Sequence, residues 1–453
     1  MTPPPASQAL SPRSDSRVAD DLLRPLFHTS SRFYMIVAAL GIVVLAGGAA
    51  WMYQLTHGIG VAGIRRPVFW GFYITNFVFW IGISHAGTLI SAILRLSNAT
   101  WRRPIMRGAE AITVFALLIG AMFPVIHLGR PWLAFWLFPY PGERGLWPNF
   151  RSPLLWDFFA INTYLIGSTL FLALPMVPDL ALVRDCAHGW RRKMYGALAL
   201  GWRGTPREWN RLETAMHIMA IVILPVAVSV HTIVSFDFSM TPVPMWRSTI
   251  FGPYFVAGAI FSGIAALIVA MAIVRRALHL EDYLRPLHFD NLGKLLLVMS
   301  LLWTYFVFAE RLTIWYGNEP SEMAVFWATQ RGAYAPLFWT MVACNVLVPF
   351  PLLAIGRLRT ITGTVVASAT VIVGMWLERF LIIVPSLGHK FLPYSWGTYR
   401  PTWVEITITA ATFAAMALLY VLFSKLVPIV SIWELKAGGR MAASGAPRRE
   451  GPR

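Results

Sequence analysis

A histidine and an aspartate flank one loop of this sequence, and their side chains could together move a proton. His127 closes the apolar run that ends in VIHLGRPW, and Asp157 lies about one turn into the next run, SPLLWDFFAI. If the two runs form adjacent antiparallel helices, the loop between them brings both side chains to one end. An imidazole accepts a proton near neutral pH, and a carboxylate can orient it and stabilise its charged form. We therefore predict that His127 and Asp157 are catalytic.

The chemistry that fits this pair is the oxidation of a quinol, in which two protons leave together with two electrons. The imidazole hydrogen-bonds a quinol hydroxyl and takes its proton, and the carboxylate passes the proton outward. Arg130, His231 and Asp237 lie near the same ends of their runs and are predicted to line the quinol site with Trp156. The Trp156 ring could stack on a flat quinone, whereas Arg130 could equally extend its charge to the membrane surface.

Further ionisable residues lie inside apolar runs, and five of them are candidates for function. A charged side chain near the centre of a bilayer costs roughly 2.5 kcal/mol or more, so residues of this kind are functional candidates. The sequence predicts that they form a proton path: His85, Glu310, Arg311, Glu378 and Arg379. A structural interpretation is also open, because adjacent Glu–Arg pairs can neutralise one another and His85 can hydrogen-bond a neighbouring helix.

Long apolar helices must position these residues, because apolar runs recur along the whole chain. The protein has 453 residues, of which 57% are hydrophobic and 13% charged, whereas a soluble domain usually has about a quarter charged residues. Ten runs are near the roughly 20 residues that cross a bilayer. They cover residues 33–55, 67–94, 109–128, 153–178, 212–236, 251–274, 291–316, 333–355, 360–384 and 401–424. The predicted fold is an all-α polytopic membrane protein, in which spans two to five and six to nine form two four-helix bundles with flanking helices.

The positive charge of the chain follows the predicted topology. The formal net charge is +17, which by itself would also suit a nucleic-acid-binding protein. If the N-terminus is cytoplasmic, 26 Lys and Arg residues fall in inner segments, nine in outer loops and three within spans. Such an excess orients membrane proteins. We therefore predict a bacterial inner-membrane protein with both termini in the cytoplasm and no nucleic-acid partner.

The polar ends of the chain are predicted to be tails. Residues 1–30 are rich in Pro and Ser and lack the basic region followed by an apolar core that marks a signal peptide. We predict a disordered cytoplasmic tail over residues 1–30, a transmembrane domain over 31–425 and a cytoplasmic C-terminal tail over 426–453.

Cysteine positions limit the redox groups that the chain can hold. Cys186 and Cys344 are the only cysteines, and no CxxC motif occurs. This argues against an iron–sulfur cluster or a disulfide framework within the chain, and no metal site is predicted. Electrons taken from a quinol would therefore have to pass to a group on another subunit.

The histidine spacing leaves an alternative open. His217 and His231 lie 14 residues apart, on nearly one helix face and about 21 Å apart along the axis. A dihaem cytochrome b has this arrangement, and His85 and His127 could supply the opposing ligands. A secondary transporter and a structural anchor for a peripheral enzyme are further alternatives, because charges inside spans also mark transport paths.

Four stretches carry a resemblance to a known family. They are FVFWIGISHAGTLISAILRL in span two, FPVIHLGRPW closing span three, SPLLWDFFAINTYL opening span four and VSVHTIVSFDFSM closing span five. In this order and spacing, over roughly residues 60–425, the chain resembles the NrfD or polysulfide-reductase-type integral membrane subunits. Among these it is most similar to the NrfD-like quinol-oxidising subunit, ActC, of bacterial alternative complex III.

The resemblance implies a helical subunit without a cofactor of its own that oxidises menaquinol or ubiquinol near the periplasmic face of a respiratory or photosynthetic complex. It implies three kinds of partner: a periplasmic iron–sulfur, molybdopterin-oxidoreductase-like subunit, a second NrfD-like membrane subunit and cytochrome c subunits that carry haem c. The family's quinol-contacting histidine and aspartate match His127 and Asp157, and a further acidic position matches Asp237. Some members are proposed to translocate protons. Others reduce quinone within molybdopterin/iron–sulfur reductases, which is the alternative function.

Overall fold

The regular secondary structure of the described part of the chain is helical. The computed structural model describes residues 15–139, 149–390 and 392–443, and these contain ten helices that are long and apolar enough to cross a membrane. Each overlaps a run for which the sequence predicts a span. The prediction of an all-α polytopic protein with ten spans is confirmed.

Sixteen α-helices follow one another in the described residues. They are α1 (Asp15–Phe27), α2 (Ser31–His57), α3 (Phe72–Leu96), α4 (Met106–His127), α5 (Pro153–Ala173), α6 (Val177–Cys186), α7 (Gly189–Leu198), α8 (Pro206–Ser239), α9 (Phe251–Ala277), α10 (Pro286–Gly317), α11 (Pro320–Gln330), α12 (Ala335–Val342), α13 (Pro349–Ala354), α14 (Ile361–Gly388), α15 (Trp403–Leu426) and α16 (Ile432–Ala443). A 3-10 turn joins α5 to α6, and a π-helical turn at Ala343–Leu347 leads from α12 towards α13. Each of these two pairs forms one span.

The long helices pack in two groups. In the first group α3 packs on α4 and α8, and α5 also packs on both of these helices. In the second group α9, α10 and α14 pack together with α12 and α13. α3 and α9 join the groups, and α2 pairs with α15 at the flank. This arrangement matches the two four-helix bundles with flanking helices that the sequence predicts.

α3 lies at the centre of the packing. In its most apolar stretch 94% of the residues are buried, against 11% in α2. A Cβ atom at Gly87 would lie 1.8 Å from the carbonyl oxygen of Ala109 on α4, so this contact requires glycine. Small residues allow close approach between membrane helices, whose association depends on packing because lipid is as apolar as their side chains.

The two ends of the bundle carry different groups. We call one end the His127 end: α2, α4, α8, α10 and α14 end there, and α3, α5, α9 and α15 begin there. We call the opposite end the Arg107 end, after a buried arginine in the first turn of α4.

The N-terminal segment differs from its prediction. The sequence predicts disorder over residues 1–30, whereas residues 15–27 form α1. Leu22, Leu23 and Leu26 on this helix are buried, and α1 contacts α15 and α16. An amphipathic helix can bury its apolar stripe in this way although the segment is polar on average. Residues 1–14 lie outside the described residues.

The C-terminal segment is also helical over part of its length. The sequence predicts a tail over residues 426–453, whereas α16 forms from Ile432 onwards. The backbone N–H groups of Ile432 and Trp433 donate to the carboxylate of Asp179 on α6, at 2.9 and 3.1 Å. Because the first N–H groups of a helix lack partners within it, Asp179 stabilises the start of α16. Residues 444–453 lie outside the described residues.

Candidate functional site

His127 occupies the last position of α4, where the chain leaves the helix. Gly129 follows with φ of +66°, a left-handed conformation that favours glycine. The imidazole is half-buried, and its Nδ1 atom is buried with no hydrogen-bond partner among the described residues. The ring approaches Tyr73 with 6.5 Å between centroids and an interplanar angle of 76°. His127 therefore has an unused polar atom that a ligand could engage.

Asp157 forms a carboxyl pair with Asp237. Pro153 starts α5 directly after an extended Ser152, which places Asp157 in the first part of the helix, and Asp237 lies near the end of α8. The two side chains are 5% and 7% exposed, and their carboxyl groups lie within hydrogen-bonding reach of each other. A hydrogen bond between them requires a proton on one carboxyl group. Each Oδ1 atom is buried without a partner in the described structure, so the pair has acceptor oxygens left.

The direct contact that the sequence predicts between His127 and Asp157 is not formed. Within the described residues their Nδ1 and Oδ1 atoms have no hydrogen-bond partner, and the carboxyl group that meets Asp157 is that of Asp237. The reason is that α5 packs more extensively along α8 than along α4. His127, Asp157 and Asp237 lie at the same end of the bundle. His127 packs beside an aromatic ring, and the two aspartates form a separate carboxyl pair.

His85 and His231 form a second buried pair, between α3 and α8. Both side chains are fully buried, and their ring centroids lie 4.5 Å apart. The Nδ1 and Nε2 atoms of His85 each lie 2.8 Å from a backbone carbonyl oxygen, those of Ile81 and Ala227. A neutral imidazole has one N–H group and can donate to only one of them. The second contact becomes a hydrogen bond only when the ring binds another proton.

This pair bears on two interpretations of the sequence. His231 is predicted to line the quinol site with Asp237, whereas its ring neighbours are His85 and Phe255. A haem iron needs a free ring nitrogen, and carbonyl oxygens face both nitrogens of His85. The separation of 4.5 Å between the rings also leaves no space for iron with two bonds of about 2 Å. The geometry therefore does not fit the dihaem arrangement.

Arg130 and Trp156 lie at the His127 end and present different groups. Arg130 is exposed, directly before the 3-10 segment Pro131–Leu137. Trp156 is half-buried, and its Nε1–H donates to the carbonyl oxygen of Phe150 at 2.8 Å. The indole N–H thus holds the loop against α5, which leaves only the ring faces of Trp156 for a ligand.

In the second helix group, Glu378 and Glu310 each form an ion pair with an arginine. Glu378 lies 3.2 Å from Arg379 and accepts the indole N–H of Trp303 at 3.1 Å, and both charged side chains are 2% exposed. Glu310 lies 3.7 Å from Arg311. This pairing supports the structural interpretation of these four residues, whose place on a proton path stays a prediction.

Arg379 also packs against α9 within the second helix group. Its guanidinium lies over the ring of Phe255 on α9, 4.6 Å from the centroid. A Cβ atom at Gly258 would lie 2.8 Å from Nη2 of Arg379, so glycine makes room for the side chain. The buried charge has Glu378 as its opposite charge, whereas Nη1 and Nη2 of Arg379 have no hydrogen-bond partner in the described structure.

The first group contains a row of polar side chains that the sequence analysis did not identify, and we call this row the polar file. Glu110 lies beside Ser91, Thr88 donates to Ser168 at 3.3 Å, and Tyr164 lies beside both Thr88 and Ser168. The ring of Tyr164 is 5.0 Å from that of His85. The signal was in the sequence: Ser84, Thr88 and Ser91 recur at i, i+4 and i+7, the spacing of one helix face.

The Arg107 end closes this file with ion pairs. Glu434 on α16 pairs with Arg95 at 2.7 Å and with Arg102 at 3.6 Å. Arg107 pairs with Asp179 at 2.7 Å. Burial lowers the pKa of the Arg102 guanidinium to about 10, so it stays charged at neutral pH. The C-terminal helix thus contributes an acid to the Arg107 end of the first group.

Comparisons with known proteins agree on one family. The family profile described as "Polysulphide reductase, NrfD" matches residues 60–389. A putative membrane subunit of dimethyl sulfoxide reductase from Halobacterium salinarum is 27% identical over 429 residues, covering 89% of this chain and 92% of the relative. A selenate reductase subunit from Mesobacillus selenatarsenatis is 23% identical, covering 90% and 95%. The "Hdr-like menaquinol oxidoreductase integral membrane subunit" of Archaeoglobus fulgidus is 21% identical, covering 80% and 82%.

Proposed function

Because this chain belongs to the polysulphide reductase NrfD family, we propose that it is the quinol-oxidising membrane subunit of a redox complex. By their names, its relatives are subunits of reductases and of a menaquinol oxidoreductase. A reductase needs an electron donor, and quinol dissolved in the bilayer is a donor within reach of a membrane-spanning protein. The observation that carries the proposal is the buried Asp157–Asp237 pair at the same end as the unpartnered nitrogen of His127.

In this mechanism each quinol releases two protons and two electrons at the His127 end. One hydroxyl donates a hydrogen bond to the imidazole of His127, which then takes the proton. The second hydroxyl faces the Asp157–Asp237 pair, which already shares one proton and takes the other on its unpartnered oxygen. Arg130 and Trp156 are the further residues that we propose to contact the quinol. Both electrons pass to an iron–sulfur cluster on a partner subunit docked at this end.

We further propose an orientation of the chain in the membrane and the subunits with which it assembles. We place the His127 end on the periplasmic side of a bacterial inner membrane and both termini in the cytoplasm, which the distribution of Lys and Arg supports. The partner that receives electrons is an iron–sulfur, molybdopterin-oxidoreductase-like subunit. The assembly we propose is an alternative complex III, which adds a second NrfD-like subunit and cytochrome c subunits with haem c. Its support is the ten-span length and the sequence resemblance to ActC.

We also propose that the polar file couples quinol oxidation to proton movement. The hydroxyl groups of the polar file lie between Glu110 and the histidine pair, with Thr88 bonded to Ser168 and Tyr164 beside His85. Hydroxyl and imidazole groups can each donate and accept a proton. The second ring contact of His85 becomes a hydrogen bond only on protonation, so this histidine is the proposed switching point. The sequence prediction that Glu310, Arg311, Glu378 and Arg379 form a proton path is a separate one, and this proposal does not depend on it.

The test uses the purified complex with a short-chain quinol and an artificial electron acceptor. His127→Ala, Asp157→Asn and Asp237→Asn should each lower quinol oxidation by about 100-fold or more, the scale of general acid–base catalysis. His57→Ala is the matched control, because His57 is an exposed histidine at the same end of the bundle. It should retain the wild-type rate.

Two outcomes would contradict the proposal. Wild-type turnover in both His127→Ala and Asp157→Asn, with normal assembly, would leave the chain as a structural anchor. Reduction of added quinone by the reduced complex, at a rate well above quinol oxidation, would reverse the direction and favour the quinone-reducing alternative.

A further inference from the structure

α2 buries a glutamine although most of that helix faces away from the protein. Only 11% of its apolar stretch is buried, yet Gln54 has no exposed surface. It lies on the same face as the buried Gly47 and Ala50. A buried amide costs free energy unless its polar atoms find partners. The partners of Gln54 therefore indicate what the side chain does.

The amide of Gln54 reaches the turn that carries His127. Its Nε2 atom donates to the carbonyl oxygen of Ile126, the residue before His127, at 3.0 Å. The last four carbonyl groups of a helix have no full partner within it, and the backbone N–H of Gly129 lies 3.4 Å from this oxygen. Within the described structure, Gln54 thus adds a side-chain donor to a carbonyl group that otherwise accepts only from the backbone N–H groups of Leu128 and Gly129 at the end of α4.

Tyr73 connects the same amide to the ring of His127. Its hydroxyl donates to Oε1 of Gln54, and its side chain is fully buried. Its aromatic ring approaches the imidazole at 76° and lies 6.4 Å from the ring of Phe123 one turn earlier on α4. Gln54 is therefore hydrogen-bonded both to the backbone before His127 and to the tyrosine whose ring packs against its imidazole.

We infer that Gln54 and Tyr73 are positioning residues that hold the His127 imidazole in the orientation for proton transfer. This inference rests on the proposed function, because it assumes that His127 accepts a proton from quinol. Neither residue needs to touch the substrate. Their effect is on the rate of the chemical step, since misplacing a reacting group lowers that rate even when binding is retained.

The experiment compares three variants of the assembled complex. Gln54→Met keeps the length of the side chain and removes both hydrogen bonds, so kcat for quinol oxidation should fall about tenfold while KM changes less than about twofold. Tyr73→Phe keeps the ring and the bond to Ile126, so kcat should fall only about threefold. Thr412→Val is the matched control, because it removes a hydrogen bond with Trp80 between α3 and α15, two turns deeper along α3.

A second measurement does not depend on turnover. Diethylpyrocarbonate modifies accessible histidine rings, and mass spectrometry of the peptide that contains His127 gives its rate. Gln54→Met should raise this rate several-fold, and Thr412→Val should not change it. An unchanged modification rate together with wild-type kcat in Gln54→Met would overturn the inference. An equal loss of kcat in Thr412→Val would also overturn it, because any lost polar contact would then have the same effect.

These outcomes separate the two proposals. If His127→Ala keeps full activity, the proposed function fails, and the modification rate alone decides whether Gln54 orients the imidazole. If His127→Ala is inactive but Gln54→Met and Tyr73→Phe behave as the wild type, only the positioning role is wrong.

Discussion

The two helix groups share an architecture, but away from the Arg107 end their ionisable residues have different partners. In the second group Glu378 lies against Arg379 and Glu310 against Arg311, so each carboxylate meets an arginine that is its neighbour in the chain. In the first group Asp157 meets another carboxyl group, and His85 meets another imidazole. Like groups that meet in a low-dielectric interior cannot all be charged.

The difference separates groups that can exchange protons from groups that hold a structure. A carboxylate beside an arginine is stabilised in its charged form, and an arginine does not release its proton in proteins. A carboxyl pair or a histidine pair changes its hydrogen bonding with each proton that it gains. For this reason we place the proton chemistry in the first group and a structural role for the ion pairs in the second.

The largest expected effect comes from breaking the Glu378–Arg379 ion pair of the second group. Arg379→Met leaves Glu378 buried without its cation, and such a change costs about 3–5 kcal/mol of stability. The thermal midpoint of the purified complex and its assembled yield should both fall. The double variant Glu378→Gln/Arg379→Met removes both charges and should recover most of the loss. If the single variant is as stable as the wild type, the pair has no structural role and the comparison between the groups fails.

A smaller effect tests the packing at the centre of the first group. Gly87→Ala places a Cβ atom against the backbone of Ala109, so the helices must separate, at a cost of about 1–3 kcal/mol. Thermal unfolding in detergent measures this cost. Gly41→Ala on α2 is the control, because its new Cβ atom meets nothing within 4 Å and should leave the midpoint unchanged. An equal response in the two variants would contradict the close approach of α3 and α4.

The smallest expected effect concerns turnover in the second group. Glu310→Gln removes a carboxylate that lies 3.7 Å from Arg311, but the guanidinium keeps its hydrogen bond to Thr329. Quinol oxidation should change less than about twofold, against about 100-fold for Asp237→Asn. A loss for Glu310→Gln as large as that for Asp237→Asn would put proton chemistry in both groups and support the longer path that the sequence predicts.

The sequence predicted the helices of individual segments correctly, but it predicted the side-chain contacts between helices less well. The ten spans were predictable because apolar run length is a property of each segment. The location of His127 and Asp157 near helix ends followed from the same runs. Their direct contact did not form, because the preference of α5 for α8 over α4 depends on side-chain packing between segments. α1 was missed because its buried leucines lie in a segment that is polar on average.

Hydropathy and the order of residues alone determined that this chain crosses a membrane ten times and carries a histidine and two aspartates near one end. Only the tertiary structure decided that Asp157 meets Asp237, that His85 faces His231, and that Gln54 of a flanking helix holds the turn before His127. The physical reason is the range of the interactions. Burial of a helix in lipid depends on its own composition, whereas a buried hydrogen bond depends on which helices come within about 3 Å of each other.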